Sequence, residues 1–149
     1  GDVYKRQLQI TAMMNTIAAG GTYRTPRFCY GITDADGTVT EKFQLPAPRT
    51  VCDAATAKAL RSMLQSVVED GIGYAAKPTG GTAAGKTGTA QTGQFAAGKE
   101  LKNYWFAGFV PAEQPRYTIV VLQDTQAEPA FSSAAIFARV AAGLEILAP

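Results

Sequence analysis

The apolar residues of this chain form three stripes at helical spacing, separated by stretches of mixed polarity. The pattern predicts a helix over residues 7–19, a second from an N-cap at Asp53 to a stop at Gly71, and a third that starts at Ser132 or Ser133. We interpret each stripe as core packing. Its members are Leu8, Ile10, Met13, Met14 and Ile17, then Leu60, Met63, Leu64 and Val67, then Ile136, Val140, Leu144 and Leu147.

Extended segments occupy the regions between these helices. Residues 23–33 and 38–45 flank Asp34-Ala35-Asp36-Gly37, whose residue types favour a tight turn. Three further strands are predicted over residues 83–91, 104–110 and 117–123. The last two carry apolar residues on both faces, so we expect this part of the sheet to be covered on both sides. Residues 71–81 and 92–103 are predicted loops, the second a mobile polar connection.

The order of elements indicates an α/β fold of the α+β type, with an antiparallel sheet and helices packed on it. A length of 149 residues suits one domain with one sizeable core. We expect residues 1–6 to be a non-native or cut leader without a role in the fold, and residues 7–149 to belong to a single domain.

Composition excludes several functions. The chain has 14 basic and 12 acidic side chains, so its net charge of +2 gives no field that would favour nucleic acid. The absence of histidine removes Ser-His-Asp triads and histidine metal sites, and we predict neither a metal nor a cofactor. Cys29 and Cys52 are expected to be free thiols, with one disulfide as the alternative. No apolar stretch approaches the ~20 residues of a membrane span, and this segment is expected to make no membrane contact.

The run Gly85-Lys86-Thr87-Gly88-Thr89-Ala90 carries the strongest chemical signal. On the edge of a sheet it would offer an ammonium, two hydroxyls and backbone N–H groups to a carboxylate or an oxyanion. The same letters also complete a phosphate-loop pattern over residues 80–87, and an apolar run ending at Asp124 could serve as its magnesium-side strand. No buried strand precedes the pattern and no helix follows it, so we reject a nucleotide-binding loop.

Several segments, in order, resemble the C-terminal half of a penicillin-binding protein transpeptidase domain, most closely the class B, monofunctional type. The resemblance covers about residues 7–147, and its Lys-Thr-Gly motif is nearly letter for letter. The matching segments are Leu8-Gln9-Ile10 through Gly20-Gly21, Val68-Glu69-Asp70-Gly71-Ile72-Gly73 with Ile72 in place of a threonine, Ala84 to Gln91, Trp105 to Pro111, and Tyr117 to Leu122.

This resemblance implies acyl transfer on peptidoglycan stem peptides ending in D-Ala-D-Ala, with β-lactams as mimics, at the extracytoplasmic face of a bacterial membrane. It implies that Lys86 supplies positive charge, that Thr87 and Thr89 bind the substrate carboxylate, and that the Thr89 N–H is an oxyanion donor. Gly88 would make room for the ligand. Trp105 is expected to pack within the sheet rather than touch substrate, and residues 92–102 to form either a loop flanking the cleft or a solvated connector.

The chain departs from the family pattern in one large respect, because it contains neither Ser-x-x-Lys nor Ser-x-Asn. We therefore expect the nucleophile and the first strands of a five-stranded sheet to precede residue 1. The chain alone is expected to be inactive and to expose an apolar face that the missing N-terminal half would cover. Two alternatives stay open: a β-lactamase or D,D-carboxypeptidase, and a non-catalytic penicillin-sensing domain.

Overall fold

The computed structural model describes residues 2–147, apart from the side chains at positions 2–5, 126 and 145–147. Its elements follow the predicted order of helix, hairpin, helix, three strands and helix. They are α1 (Asp2–Ala18), β1 (Thr22–Tyr23), β2 (Gly31–Thr33), β3 (Val39–Lys42), β4 (Arg49–Thr50), α2 (Ala54–Glu69), a short 3-10 helix (Tyr74–Ala76), β5 (Ala84–Ala96), β6 (Lys99–Val110), β7 (Tyr117–Gln126) and α3 (Ser133–Leu147).

Every strand pairing among these elements is antiparallel, as expected from the short connections. The main sheet has the order β5-β6-β7, while β1 pairs with β4 and β2 pairs with β3. The mixed α/β architecture with helices on an antiparallel sheet is therefore confirmed.

The core lies on both faces of the main sheet, which confirms the two-sided covering predicted for β6 and β7. On one face Phe106 and Val110 pack with Phe137 of α3. On the other face Phe109 packs with Met14 of α1. Successive residues of β6 point to opposite faces, so one strand supplies both clusters.

The predicted apolar stripes of α2 and α3 are wrong in part. In α2 the stripe residue Met63 is 66% exposed, whereas Ala57 and Val68 are buried. In α3 the stripe residue Val140 is 43% exposed, and the helix buries Phe137 together with Ala134 and Ala141. Small residues contribute to both buried faces, beside Val68 in α2 and Phe137 in α3. The predicted stripes therefore lie partly on the exposed side of each helix.

The first helix also differs from its prediction. It begins at Asp2 rather than near residue 7, and its buried face contains Ala12 and Thr16 beside Met14. Met13, which we placed in the core, is exposed. The origin of residues 1–6 and the domain boundary at residue 7 stay predictions. The side chain of Leu147 lies outside the described residues.

The connection predicted over residues 92–103 is instead a continuous hairpin of β5 and β6. The strands meet at the two-residue turn Ala97-Gly98, where φ is 50° and 77°, values that suit a tight hairpin turn. Gly93, at φ 69°, lies in an irregularity of the pairing between Gln91 and Gln94. Both the loop and the connector interpretations failed because cross-strand pairing, not local apolar content, extends these strands.

The local signals at turns and caps are confirmed. Asp53 accepts a hydrogen bond from the Thr56 N–H at 2.6 Å, and Ser132 accepts one from the Ala135 N–H at 3.1 Å. At the β2–β3 turn, Asp34 Oδ1 accepts hydrogen bonds from the backbone of Asp36 and Thr38. These are short-range interactions, which is why sequence alone located them.

Both cysteines, Cys29 and Cys52, are free thiols. None of the helices within residues 2–147 combines the length and hydropathy needed to cross a membrane.

Candidate active-site strand

The Lys86–Thr89 segment lies in β5, at the edge of the main sheet. Among the described residues β5 pairs only with β6, so its outer edge is unpaired. An unpaired edge presents backbone N–H and C=O groups to any extended ligand that lies alongside. The strand predicted over residues 83–91 is therefore present, in the edge position that peptide binding requires.

At this edge the lysine ammonium meets a threonine. Lys86 Nζ donates to the Thr87 carbonyl at 3.2 Å and lies 3.4 Å from Thr87 Oγ1. Adjacent strand residues point to opposite faces, so this meeting depends on the flexible lysine side chain reaching around the open edge. Within the described part of the chain, no carboxylate lies within 4.0 Å of Lys86 Nζ. The ammonium is thus available to an incoming anion.

The geometry does not fit a phosphate loop. Lys86 lies inside β5, and the chain continues as strand through Ala96 instead of starting a helix. The backbone N–H groups of a helix N-terminus, which would meet a phosphate, are absent at this position.

The surroundings of Gly85 and Gly88 differ. A Cβ at Gly85 would lie 2.6 Å from the Ala107 carbonyl oxygen and 2.7 Å from the Phe106 ring, so packing requires a glycine there. A Cβ at Gly88 would meet nothing closer than Trp105 Cβ at 3.4 Å, an ordinary contact. Packing inside the chain therefore does not explain Gly88, and its role toward a ligand stays a prediction.

A cavity of about 420 Å³ lies beside the segment. Thr87, Gly88 and Thr89 contribute to its lining, whereas Lys86 does not. The remaining walls come from the 3-10 helix, from β6 and from the start of α3, through Ile72, Tyr74, Ala75, Tyr104, Trp105, Pro129, Ser132, Ser133 and Ala134. Sequence reasoning missed these walls, because elements far apart in the chain meet only in the folded sheet.

Two of these lining residues bear on catalysis. Trp105 is half-buried in β6 opposite Gly88 and also lines the cavity, so its packing role stays a prediction. Ser133 is buried, donates to the Tyr104 carbonyl at 2.8 Å and accepts from Gln123 at 2.9 Å. A hydroxyl held in this way is not free to act as a nucleophile. Within residues 2–147, no serine hydroxyl is hydrogen-bonded to Lys86.

A polar cluster at the start of β5 was also missed. Thr82 Oγ1 donates to Glu113 Oε2 at 2.5 Å and accepts from the Ala112 N–H at 3.0 Å. Gln65 of α2 donates to Glu113 Oε1 at 3.0 Å. The Thr82 hydroxyl, with the Glu113 backbone and Gln65 as smaller causes, lowers the pKa of Glu113 below its usual 4.5. The cluster joins the entry to β5, the β6–β7 turn and α2.

Comparison with known proteins identifies the family. Residues 7–142 match the penicillin binding protein transpeptidase domain. The chain is 38% identical to the penicillin-binding protein PbpB of Mycolicibacterium smegmatis over 152 residues, which cover 92% of the chain and 23% of the relative. It is 36% identical to stage V sporulation protein D of Bacillus subtilis over 121 residues, covering 78% of the chain and 18% of that protein.

Solved structures agree in fold. Penicillin binding protein 3 of Mycobacterium tuberculosis, in a crystal structure with aztreonam, superposes with a TM-score of 0.80 at 33% identity, covering 93% of this chain and 34% of that one. The D,D-transpeptidase domain of a peptidoglycan glycosyltransferase from Eggerthella lenta gives 0.74 at 27% identity, covering 92% and 31%. The chain thus spans about a fifth of its curated relatives' length and about a third of these structures. It belongs to the penicillin binding protein transpeptidase domain family.

Proposed function

We propose that this chain is the substrate-binding and oxyanion side of a serine D,D-transpeptidase that cross-links peptidoglycan and binds penicillins. The observation that carries the proposal is the meeting of Lys86 Nζ with the Thr87 hydroxyl at an unpaired strand edge. A cation, a hydroxyl and free backbone N–H groups along one edge suit an extended peptide that ends in a carboxylate.

The proposed roles are those that the family resemblance implies, and the charge of Lys86 and the edge position of the strand support them. Lys86 attracts the terminal carboxylate of a D-Ala-D-Ala stem peptide, and the hydroxyls of Thr87 and Thr89 donate hydrogen bonds to it. The Thr89 N–H stabilises the oxyanion that forms when the penultimate carbonyl is attacked. Gly88 lets the ligand backbone approach the strand closely.

The chemistry itself is acyl transfer. A serine supplied by a part of the protein outside this chain attacks the carbonyl, D-Ala departs with its amine protonated, and an amine of a neighbouring stem peptide releases the acyl group. A β-lactam ring opens in the same first step and remains attached to the serine. We place this reaction at the extracytoplasmic face of a bacterial membrane, with stem peptides and β-lactams as ligands.

A fluorescent penicillin tests both parts of the proposal. The natural protein that contains this segment is expected to become covalently labelled, whereas the 149-residue chain alone is not. Stoichiometric labelling of the chain alone would show that a nucleophile lies within it, and absence of labelling of the natural protein would overturn the function.

A substitution in the same protein tests the site. Thr87→Val keeps the β-branched shape and removes the hydroxyl, so acylation is expected to slow about 10- to 100-fold, the usual loss for a hydrogen bond to a charged group. The control Thr40→Val lies in β3, on an exposed hairpin, and is expected to leave the rate unchanged. Equal rates for Thr87→Val and the unmodified protein would remove Thr87 from carboxylate binding.

A further inference from the structure

A cleft at the base of the β2–β3 hairpin is lined by positively charged side chains that do not belong to the site on β5. We define it as the hairpin cleft, an open cavity of about 530 Å³. Three cations contribute to its lining, and apolar side chains and prolines of the segment after β3 supply much of the rest. These residues are Arg24, Arg27, Lys42, Phe43, Leu45 and Pro46.

Two of the three cations lie over one aromatic ring. Arg27 Cζ lies 4.9 Å and Lys42 Nζ 4.7 Å from the centroid of Tyr30. A tyrosine face attracts each cation, but two like charges held at one ring also repel each other. An anion bound in the cleft beside Arg27 and Lys42 would relieve that repulsion.

No acidic group of the described chain meets this demand. Within residues 2–147, neither Arg24, Arg27 nor Lys42 has a carboxylate within 4.0 Å. The hairpin's own acids are placed elsewhere: Asp34 holds the β2–β3 turn through two backbone hydrogen bonds, and none of the acids lines the cleft. The positive charge is therefore uncompensated inside the chain.

The apolar part of the lining decides between kinds of anion. Phe43 and Leu45 are exposed, and with Pro46 they lie in a segment outside any strand. A surface for phosphate groups alone would not need such side chains. Cationic and apolar contacts within one cleft suit an extended peptide that carries both carboxylates and apolar side chains.

We propose that the hairpin cleft binds an extended acidic peptide segment of a partner protein, with carboxylates held by Arg24, Arg27 and Lys42 and an apolar side chain packed on Phe43 and Leu45. The charges speed encounter and set the register, while the apolar contact supplies affinity. This surface is separate from the Lys86–Thr89 strand and does not depend on the function proposed for it.

The test uses the 149-residue chain and a fluorescein-labelled six-residue peptide of alternating glutamate and leucine, followed by fluorescence anisotropy. We expect binding that weakens as salt is raised, and at least about tenfold weaker binding when lysine replaces each glutamate or glycine replaces each leucine. Absence of binding, or equal binding of the glycine peptide, would overturn the proposal.

Two triple variants of equal net charge locate the site. The cleft variant Arg24→Gln, Arg27→Gln, Lys42→Gln is expected to weaken binding about tenfold or more. The control variant Lys58→Gln, Lys77→Gln, Arg139→Gln changes exposed cations on other elements and is expected to change binding less than twofold. Equal weakening by the two variants would show a general charge effect and overturn the cleft.

A membrane surface is the competing anion, and vesicles of phosphatidylglycerol test it. If the chain cosediments with these vesicles, the cleft variant abolishes cosedimentation and the chain does not bind the peptide, the ligand of the cleft is a lipid surface and not a peptide.

Circular dichroism melts of both triple variants are expected to match the unmodified chain, because the substituted side chains are exposed.

Discussion

The main sheet and the β2–β3 hairpin are both antiparallel and both carry aromatic side chains, but only the sheet buries them. Phe106 and Phe109 of β6 are fully buried, whereas Phe28 beside the hairpin is 82% exposed. The sheet has helices on both faces, while among the described residues the hairpin has no cluster of buried side chains. Strand pairing alone therefore does not create a core; a second layer does.

This contrast also divides the molecule by task. The buried sheet holds the Lys86–Thr89 edge in a fixed position, as the proposed substrate binding requires. The hairpin leaves its side chains exposed to solvent and to the proposed peptide partner. Four predictions test the division, in decreasing order of expected effect.

The largest effect is expected from the core of the α3 face. Phe137 is fully buried, and its ring centroid lies 4.7 Å from that of Phe106. Phe137→Ala is expected to lower the free energy of unfolding by about 3–5 kcal/mol, measured by urea denaturation. The control Phe28→Ala is expected to change it by less than about 0.5 kcal/mol. Similar losses for the two variants would contradict the contrast between sheet and hairpin.

The two glycines of β5 sharpen the comparison within the sheet itself. Gly85→Ala places a methyl group against the Ala107 carbonyl and the Phe106 ring, and is expected to destabilise the chain by about 1–3 kcal/mol. The methyl group added by Gly88→Ala makes only an ordinary contact, so this variant is expected to lower the unfolding temperature much less than Gly85→Ala does. If Gly88→Ala also slows penicillin acylation in the natural protein, ligand approach explains this glycine; an unchanged rate would refute that explanation.

A local effect is expected in the hairpin. Asp34→Ala removes the acceptor of two backbone hydrogen bonds, so the Thr38 amide is expected to exchange its hydrogen faster while the midpoint of global unfolding hardly moves. Asp34→Asn retains an acceptor and should behave like the unmodified chain. A large drop in global stability would mean that the hairpin folds as one unit with the sheet.

The smallest effect concerns the polar cluster at the entry to β5. The pKa of Glu113 is lowered in the folded state. The contribution of its carboxylate to the free energy of unfolding is therefore complete above the usual pKa of 4.5, and it is lost as the pH falls through the pKa of the folded state. Glu113→Gln and Thr82→Val are both expected to flatten the decline of stability between about pH 5 and pH 3. Unchanged slopes would show that the cluster does not stabilise the fold.

The sequence predicts short-range features of this protein well. The cap at Asp53 and the turn at Asp34 depend on neighbours within a few residues. The buried face of α3 could not be predicted, because Phe137 is selected by its contact with Phe106, 31 positions earlier in the chain. The Gln65–Thr82–Glu113 cluster could not be predicted either, because its members are far apart in the chain and share no local pattern.

The site itself was predicted only as far as its motif. The edge position of the strand that carries Lys86 and Thr87 followed from residue types and is present, while the roles of these residues stay predictions. The cavity beside them was not foreseen, because its walls include Tyr74 and Ser132, which come from separate elements.

The irregular pairing between Gln91 and Gln94 has a consequence for how this protein can vary. On one side of it, the continuous pairing of residues 84–91 with β6 sets the register of Lys86 and Thr89. On the other side, a short paired segment leads to the exposed turn at Ala97. Because the register already shifts at this irregularity, we expect an insertion or a grafted loop at the tip to leave the motif in register. We therefore expect the tip of the β5–β6 hairpin to be a position where related proteins can differ in length, and where a tag can be introduced, without disturbing the Lys86–Thr89 segment.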